Sequence, residues 1–298
     1  MSDEVFLKRS DVDQTQVNAG NNIPANIVIP SAVQQALNNT QPQYKYPTET
    51  FDLPSKGWFY PVDSPLAKGV IEFKMMTAQE EDILTSQKLL RNGTAITKLI
   101  EKLIVTPGVK ISNLLLCDYN AIIYFVRRMA YGNDYGPFSI TCDACGEKST
   151  NEHVNLSRLE TNEINFEGLE KGVNSFIYTL PFSQRTVTFK LLTVEDNDAI
   201  DKEITAMQKM SRTGMSYNVT TRLKHVITSI DGKPDKNTIA KFISTELIAR
   251  DSVALRNNIR NMTPELDTEF NFTCPHCGAE SRMELPMTAE FFWPSHTR

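Results

Sequence analysis

The chain has 298 residues, 40 % of them hydrophobic, and a net charge of −5 with acidic and basic residues interspersed. That is enough apolar material for a sizeable core in one large or two medium domains, which excludes a disordered chain. The mild, mixed charge offers no electrostatic footprint for a phosphate backbone, and no apolar run of about 18 residues or leader-like apolar start occurs, so neither nucleic acid nor a membrane is an expected partner.

Residues 1–45 are rich in Asn, Gln, Pro and Ser and cannot bury enough apolar area to fold alone. Within them Ile23-Pro-Ala-Asn-Ile-Val-Ile-Pro30 reads as an extended anchor, with Ile27, Val28 and Ile29 as candidate partner-binding residues, and Ser31-Ala-Val-Gln-Gln-Ala-Leu37 as a short helix. The segment is either a solvated tail or an arm that orders on a partner surface. Next, Pro54 and Gly57 set turns just before Trp58, Phe59 and Tyr60, aromatics that serve as core lids or as a second partner anchor. Val70 to Met76 alternates as a strand does. Thr77-Ala-Gln-Glu80 is a capping box that opens a helix through Leu84, and it accounts for the carboxylate cluster Glu80, Glu81 and Asp82 without a catalytic role. Ala95 to Ile104 is an amphipathic helix stopped by Pro107-Gly108. Asp118 is placed to cap a third helix, Ala121 to Tyr131, ended by Gly132, and Arg127-Arg128 reads as its dipole-compensating end.

A strand then leads into Cys142-Asp-Ala-Cys145-Gly, and 132 positions later another leads into Cys274-Pro-His-Cys277-Gly. Two C-x-x-C turns supply the four thiolates of a tetrahedral structural zinc site, and a glycine after each turn lets backbone amides approach the sulfurs. A local disulfide is the bland alternative, and a redox pair would precede a helix rather than follow a strand. His276 is expected to face solvent rather than ligate. Four such cysteines suit a reducing compartment. Cys117 is left over as a buried thiol.

The second half repeats the first. Phe73-Lys74, Thr77 and Asp82 recur 116 positions later as Phe189-Lys190, Thr193 and Asp198, and Leu53-Pro54 recurs as Leu180-Pro181. Thr97-Lys-Leu99 matches Thr221-Arg-Leu223 at 124, the added length falling in the loop 211–216, and Asp118 and Arg127 match Asp251 and Arg260 at 133. Serial order with a slowly drifting offset indicates internal duplication. The expected fold is α+β, with two helix-rich repeats at 46–155 and 156–298 carrying small antiparallel sheets and joined by a four-cysteine zinc ribbon.

Leu53-Pro-Ser-Lys-Gly-Trp-Phe-Tyr-Pro61, Thr77-Ala-Gln-Glu-Glu-Asp-Ile-Leu-Thr-Ser86, Asp118 with Arg127 and Tyr131-Gly132, and then the knuckle make the chain similar to the baseplate hub proteins of T-even-type contractile-tailed bacteriophages, over roughly residues 50–290. The resemblance implies a non-enzymatic role at the hub of the tail baseplate, with hub, spike, tube or wedge subunits as partners and no small-molecule substrate. It also implies assembly in the host cytoplasm and residence in the virion tail. Family members serve as hub components or as assembly chaperones absent from the particle, and the resemblance does not choose. The residues agree: phosphate-cradle, nucleophile-elbow and zincin motifs are all missing. A zinc-ribbon nucleic-acid binder is the distant alternative, disfavoured by Asp143, Glu147 and Glu280 around the knuckles.

Overall fold

A computed structural model describes residues 47–210, 217–285 and 289–292. The expected arm at 1–45, with Ile27, Val28 and Ile29, and the loop 211–216 lie outside the described residues. The rest is α+β. A hairpin of β1 (Thr48–Asp52) and β2 (Val70–Lys74) leads to α1 (Ala78–Thr85), α2 (Gln87–Arg91), α3 (Ala95–Leu103) and α4 (Leu116–Tyr131). A second hairpin follows, β3 (Asp134–Thr141) with β4 (Lys148–Asn155). The second half opens with the antiparallel sheet β5 (Phe176–Thr179), β6 (Thr186–Phe189) and β7 (Ile227–Ile230). Its helices are α5 (Val194–Met210), α6 (Asn218–Val226), α7 (Lys236–Lys241) and α8 (Ala249–Asn261), and it closes on the hairpin of β8 (Glu269–Thr273) and β9 (Glu280–Glu284).

Local chemistry explains two of the four first-half helices. At α1 the Thr77 amide and hydroxyl both donate to Glu80 Oε2, at 3.0 and 2.6 Å, which closes the capping box around orphan amides of the first turn. Helix α3 turns Ala95, Leu99, Ile100 and Leu103 inward at helical spacing, and each large aliphatic removed from water stabilises the fold by about 1.5–3 kcal/mol. The helix ends when Ile104 leaves it to form an antiparallel bridge with Phe73.

Helix α4 departs from expectation. It begins at Leu116, five residues before the predicted start, with Leu115 in the capping position. Asp118 therefore caps nothing. It sits in the first turn, fully buried, and its carboxylate accepts from the Ser55 amide at 2.9 Å, the Ser55 hydroxyl at 2.6 Å and the Tyr60 hydroxyl at 2.6 Å. Burial raises its pKa despite these donors. Arg127 is likewise no solvent-facing helix-end cation: it is 3 % exposed and donates from Nε to the Phe291 carbonyl at 2.7 Å.

One apolar core runs through both halves, from Leu53 to Phe292. Phe59 of the first half packs edge-on against Phe176 of the second at 5.2 Å, and Phe291 returns from the chain end to Tyr124 at 5.1 Å. The halves also meet through backbone. Leu116 N–H donates to the Leu192 carbonyl at 2.8 Å and Val194 N–H to the Leu114 carbonyl at 2.9 Å, flanking an antiparallel Leu115–Thr193 bridge.

The cap of α1 makes a pH prediction. Although burial opposes it, the Lys74 ammonium at 2.7 Å and the Thr77 donors hold Glu80 at about 2, down from 4.5. A carboxyl depressed on folding stabilises the native state above about pH 4.5, and that contribution is lost as pH falls toward 2. Glu80→Gln should therefore lower stability at neutral pH by roughly 2–3 kcal/mol and flatten the acid limb of urea unfolding between those values. An acid limb identical to the wild type would rule this out.

Candidate metal centre

The two knuckles sit at the tips of β3–β4 and β8–β9, and their backbones are built alike. Cys142 N–H donates to the Glu147 carbonyl and Gly146 N–H to the Cys142 carbonyl, at 2.9 and 2.8 Å. Cys274 N–H donates to Ala279 and Gly278 N–H to Cys274, both at 2.9 Å. Gly146 and Gly278 take φ values of 76° and 71°, the left-handed region that closes such a turn without a Cβ penalty. The hairpins are held face to face by a small apolar cluster of Ile140 and Phe272 with the first cysteine of each knuckle, and by an edge-on contact of Phe138 with Phe270 at 5.9 Å.

This packing brings Cys142, Cys145, Cys274 and Cys277 together, with all four sulfurs within 4.8 Å of one another. The cross-knuckle spacings are 3.8 Å for Cys142–Cys277 and 3.7 Å for Cys145–Cys274, and none of these cysteines is in a disulfide. A tetrahedron of thiolates at the usual zinc–sulfur length of about 2.3 Å has edges of about 3.8 Å, so the donor set fits one thiophilic ion with no vacant position. Its electrostatics agree. The Cys277 amide, with the His276 amide, outweighs burial and draws Cys274 down to about 6. For Cys145 the Glu147 amide works the other way, but desolvation and the three neighbouring sulfurs push it up to about 12. Four adjacent thiols cannot all ionise unless a cation compensates them. His276 is exposed, as expected of a turn residue.

The aromatic segment is placed differently from its anchor reading. Phe59 and Tyr60 are 2 % and 4 % exposed. The Tyr60 hydroxyl donates to Asp118 and accepts from the Leu115 amide at 2.8 Å, so both residues are lids on the core, which corrects their assignment as partner-binding residues. Trp58 is half-buried, 5.0 Å from Phe166 with the Lys171 ammonium over its ring at 5.9 Å. The Ser55–Tyr60–Asp118 network was missed from sequence. Its signal was the recurrence of Asp118 as Asp251 alongside a recurring Leu-Pro: Asp251 accepts from the Phe182 and Ser183 amides, both at 3.0 Å, in the turn after Leu180-Pro181. Cys117 is buried, and burial pushes its thiol well above the usual range.

Fold and centre together define an α+β protein whose two halves converge on one four-thiol site. Within that class, the chain belongs to the T4 bacteriophage base plate protein family, whose model matches residues 47–293. No curated protein and no solved structure matches it. Membership makes it a structural protein of the phage baseplate, with other tail proteins as its partners and the virion tail as its place. Among the described residues no helix is long and apolar enough to cross a membrane.

Proposed function

We propose that the chain is a non-enzymatic component of the baseplate hub, built from two duplicated halves that a structural zinc ion clamps together, and that it joins neighbouring hub, spike, tube or wedge subunits during assembly. The observation that carries this reading is the convergence of one knuckle from each half on a closed four-thiol site in a baseplate-family chain. A closed tetrahedron leaves no position for a water or substrate, so the ion serves as a clamp. Duplication is supported by matching contacts. Lys74 bridges Glu80 as Lys190 bridges Asp196, the Thr77 amide binds Glu80 as the Thr193 amide binds Asp196, and Asp118 and Asp251 each hold a Leu-Pro turn. The nucleic-acid reading loses one of its few cations, since Arg282 is engaged by Asp267 and Glu269 at 2.8 and 3.1 Å.

Quantitative mass spectrometry of purified particles beside the infected-cell lysate tests the role. A fixed ratio to a tail protein of known copy number is the expected result. Abundance in the lysate with none in particles would make the chain an assembly chaperone instead.

A further inference from the structure

The backbone joint between the halves is used once, although the chain carries the parts for it twice. In the internal joint, the extended edge Leu114–Leu116 at the start of α4 pairs with Leu192–Val194 at the start of α5. On the offset that aligns Asp118 with Asp251, the counterpart of the first edge is Leu247-Ile248-Ala249 at the start of α8. On the offset that aligns Thr77 with Thr193, the counterpart of the second is Met76-Thr77-Ala78 at the start of α1.

Both counterparts are already extended at their centre, Thr77 with φ −111° and ψ 172°. Leu115 has φ −61° and ψ 143°, and Ile248 has φ −70° and ψ 153°. Each also leaves exposed a position that is buried in the internal joint. Leu115 is 1 % exposed where the second half lies on it, while Ile248 is 48 % exposed; Val194 is buried, while Ala78 is exposed. The hydrogen-bonding groups stand ready in complementary order. In the internal joint the Leu116 amide and Leu114 carbonyl meet the Leu192 carbonyl and Val194 amide. Among the described residues the equivalent groups, the Ala249 amide and Leu247 carbonyl on one side and the Met76 carbonyl and Ala78 amide on the other, have no hydrogen-bond partner. First-turn amides of a helix have none within the helix itself, so an external acceptor satisfies them. Val253, one turn further along α8, adds apolar surface at 46 % exposure.

We propose that the Leu247–Ala249 edge of one copy docks on the Met76–Ala78 edge of a second copy, repeating between chains the joint that each chain makes within itself. The occupant is identified by the chain's own template: the surface that fits the first edge is one this protein already builds. The two faces differ, so the contact is heterologous and propagates head to tail, closing into a ring where the rotation permits. This inference rests on the duplicated reading of the two halves.

Heterologous contacts have a diagnostic test in sedimentation velocity or native mass spectrometry of the full, metal-loaded chain. Ile248→Asp places a favoured capping residue before α8, and Ala78→Glu places an acid in the first turn of α1, so both exposed positions keep the fold while spoiling opposite faces. The wild type should form multiples of 33.7 kDa that grow with concentration, and each variant alone should stay at 33.7 kDa. An equal mixture of the two variants should give a dimer and nothing larger, because one intact joint forms between two blocked ends. A wild type that stays monomeric at its highest soluble concentration, a single variant that still associates, or a mixture that does not pair would each overturn the proposal. Hydrogen exchange of the Leu116 and Val194 amides separates the causes. Fast exchange there removes the template itself, whereas slow exchange without association removes only the second joint. Absence from particles would sink the baseplate-component reading and leave this result untouched.

Discussion

Cys142→Ser or Cys274→Ser should reduce bound zinc from about one ion per chain to near none, because a closed structural site tolerates no missing thiolate. The loss should be local first. A structural zinc can be worth on the order of 10 kcal/mol in small peptides, as much as a typical domain's whole stability of about 5–15 kcal/mol. Here a small apolar cluster around Ile140 and Phe272 backs the knuckle ends of the two hairpins, and Phe138 and Phe270 link it to the larger core that runs from Leu53 to Phe292 and holds the helices. Amides of β3–β4 and β8–β9 should therefore exchange about 100-fold faster or more, a change of roughly 3 kcal/mol, with α3 and α4 nearly unchanged. Chelation of the wild type should reproduce the pattern. Metal analysis that finds no ion in the wild type, or equal exchange at the ribbon in mutant and wild type, would refute the clamp.

Asp118→Ala should cost about 3–5 kcal/mol in urea unfolding, since it removes the acceptor of the Ser55 amide, the Ser55 hydroxyl and the Tyr60 hydroxyl, all of them buried. The loss reaches further than one turn. Tyr60 also accepts from the Leu115 amide, so the network ties the aromatic loop to the edge that contacts the second half. Asp251→Ala should cost less, about 1–2 kcal/mol, because its two amide partners lie in a turn where Phe182 is 53 % exposed and water can replace the carboxylate. Equal losses for the two variants, or a loss below about 1 kcal/mol for Asp118→Ala, would show that burial of the network does not decide the difference.

Features whose chemistry lies within a few residues were readable in the chain. Thr77 and Glu80 form their capping box because the partners are one turn apart, and α3 shows its buried stripe because helical spacing puts Leu99, Ile100 and Leu103 on one face. The knuckles were readable for the same reason: a C-x-x-C turn with its glycine is a local structure, and soft thiolates in two pairs ask for one shared ion. What stayed hidden depends on which distant segments meet. Nothing near Asp118 in the chain announces Ser55 and Tyr60, so an aspartate at a helix start reads as a cap, and α4 starts at Leu116 because Leu114 and Leu116 spend backbone groups on Leu192 and Val194. Trp58, Phe59 and Tyr60 look equally suited to a core or a partner, because an aromatic ring is stabilised by any apolar cover. Only the packed structure decides that Phe59 and Tyr60 are covered from within, while Ile248 is left exposed. Short-range hydrogen bonding and periodicity are set by covalent order, whereas long-range apolar burial is non-directional and is assigned only when the whole core closes.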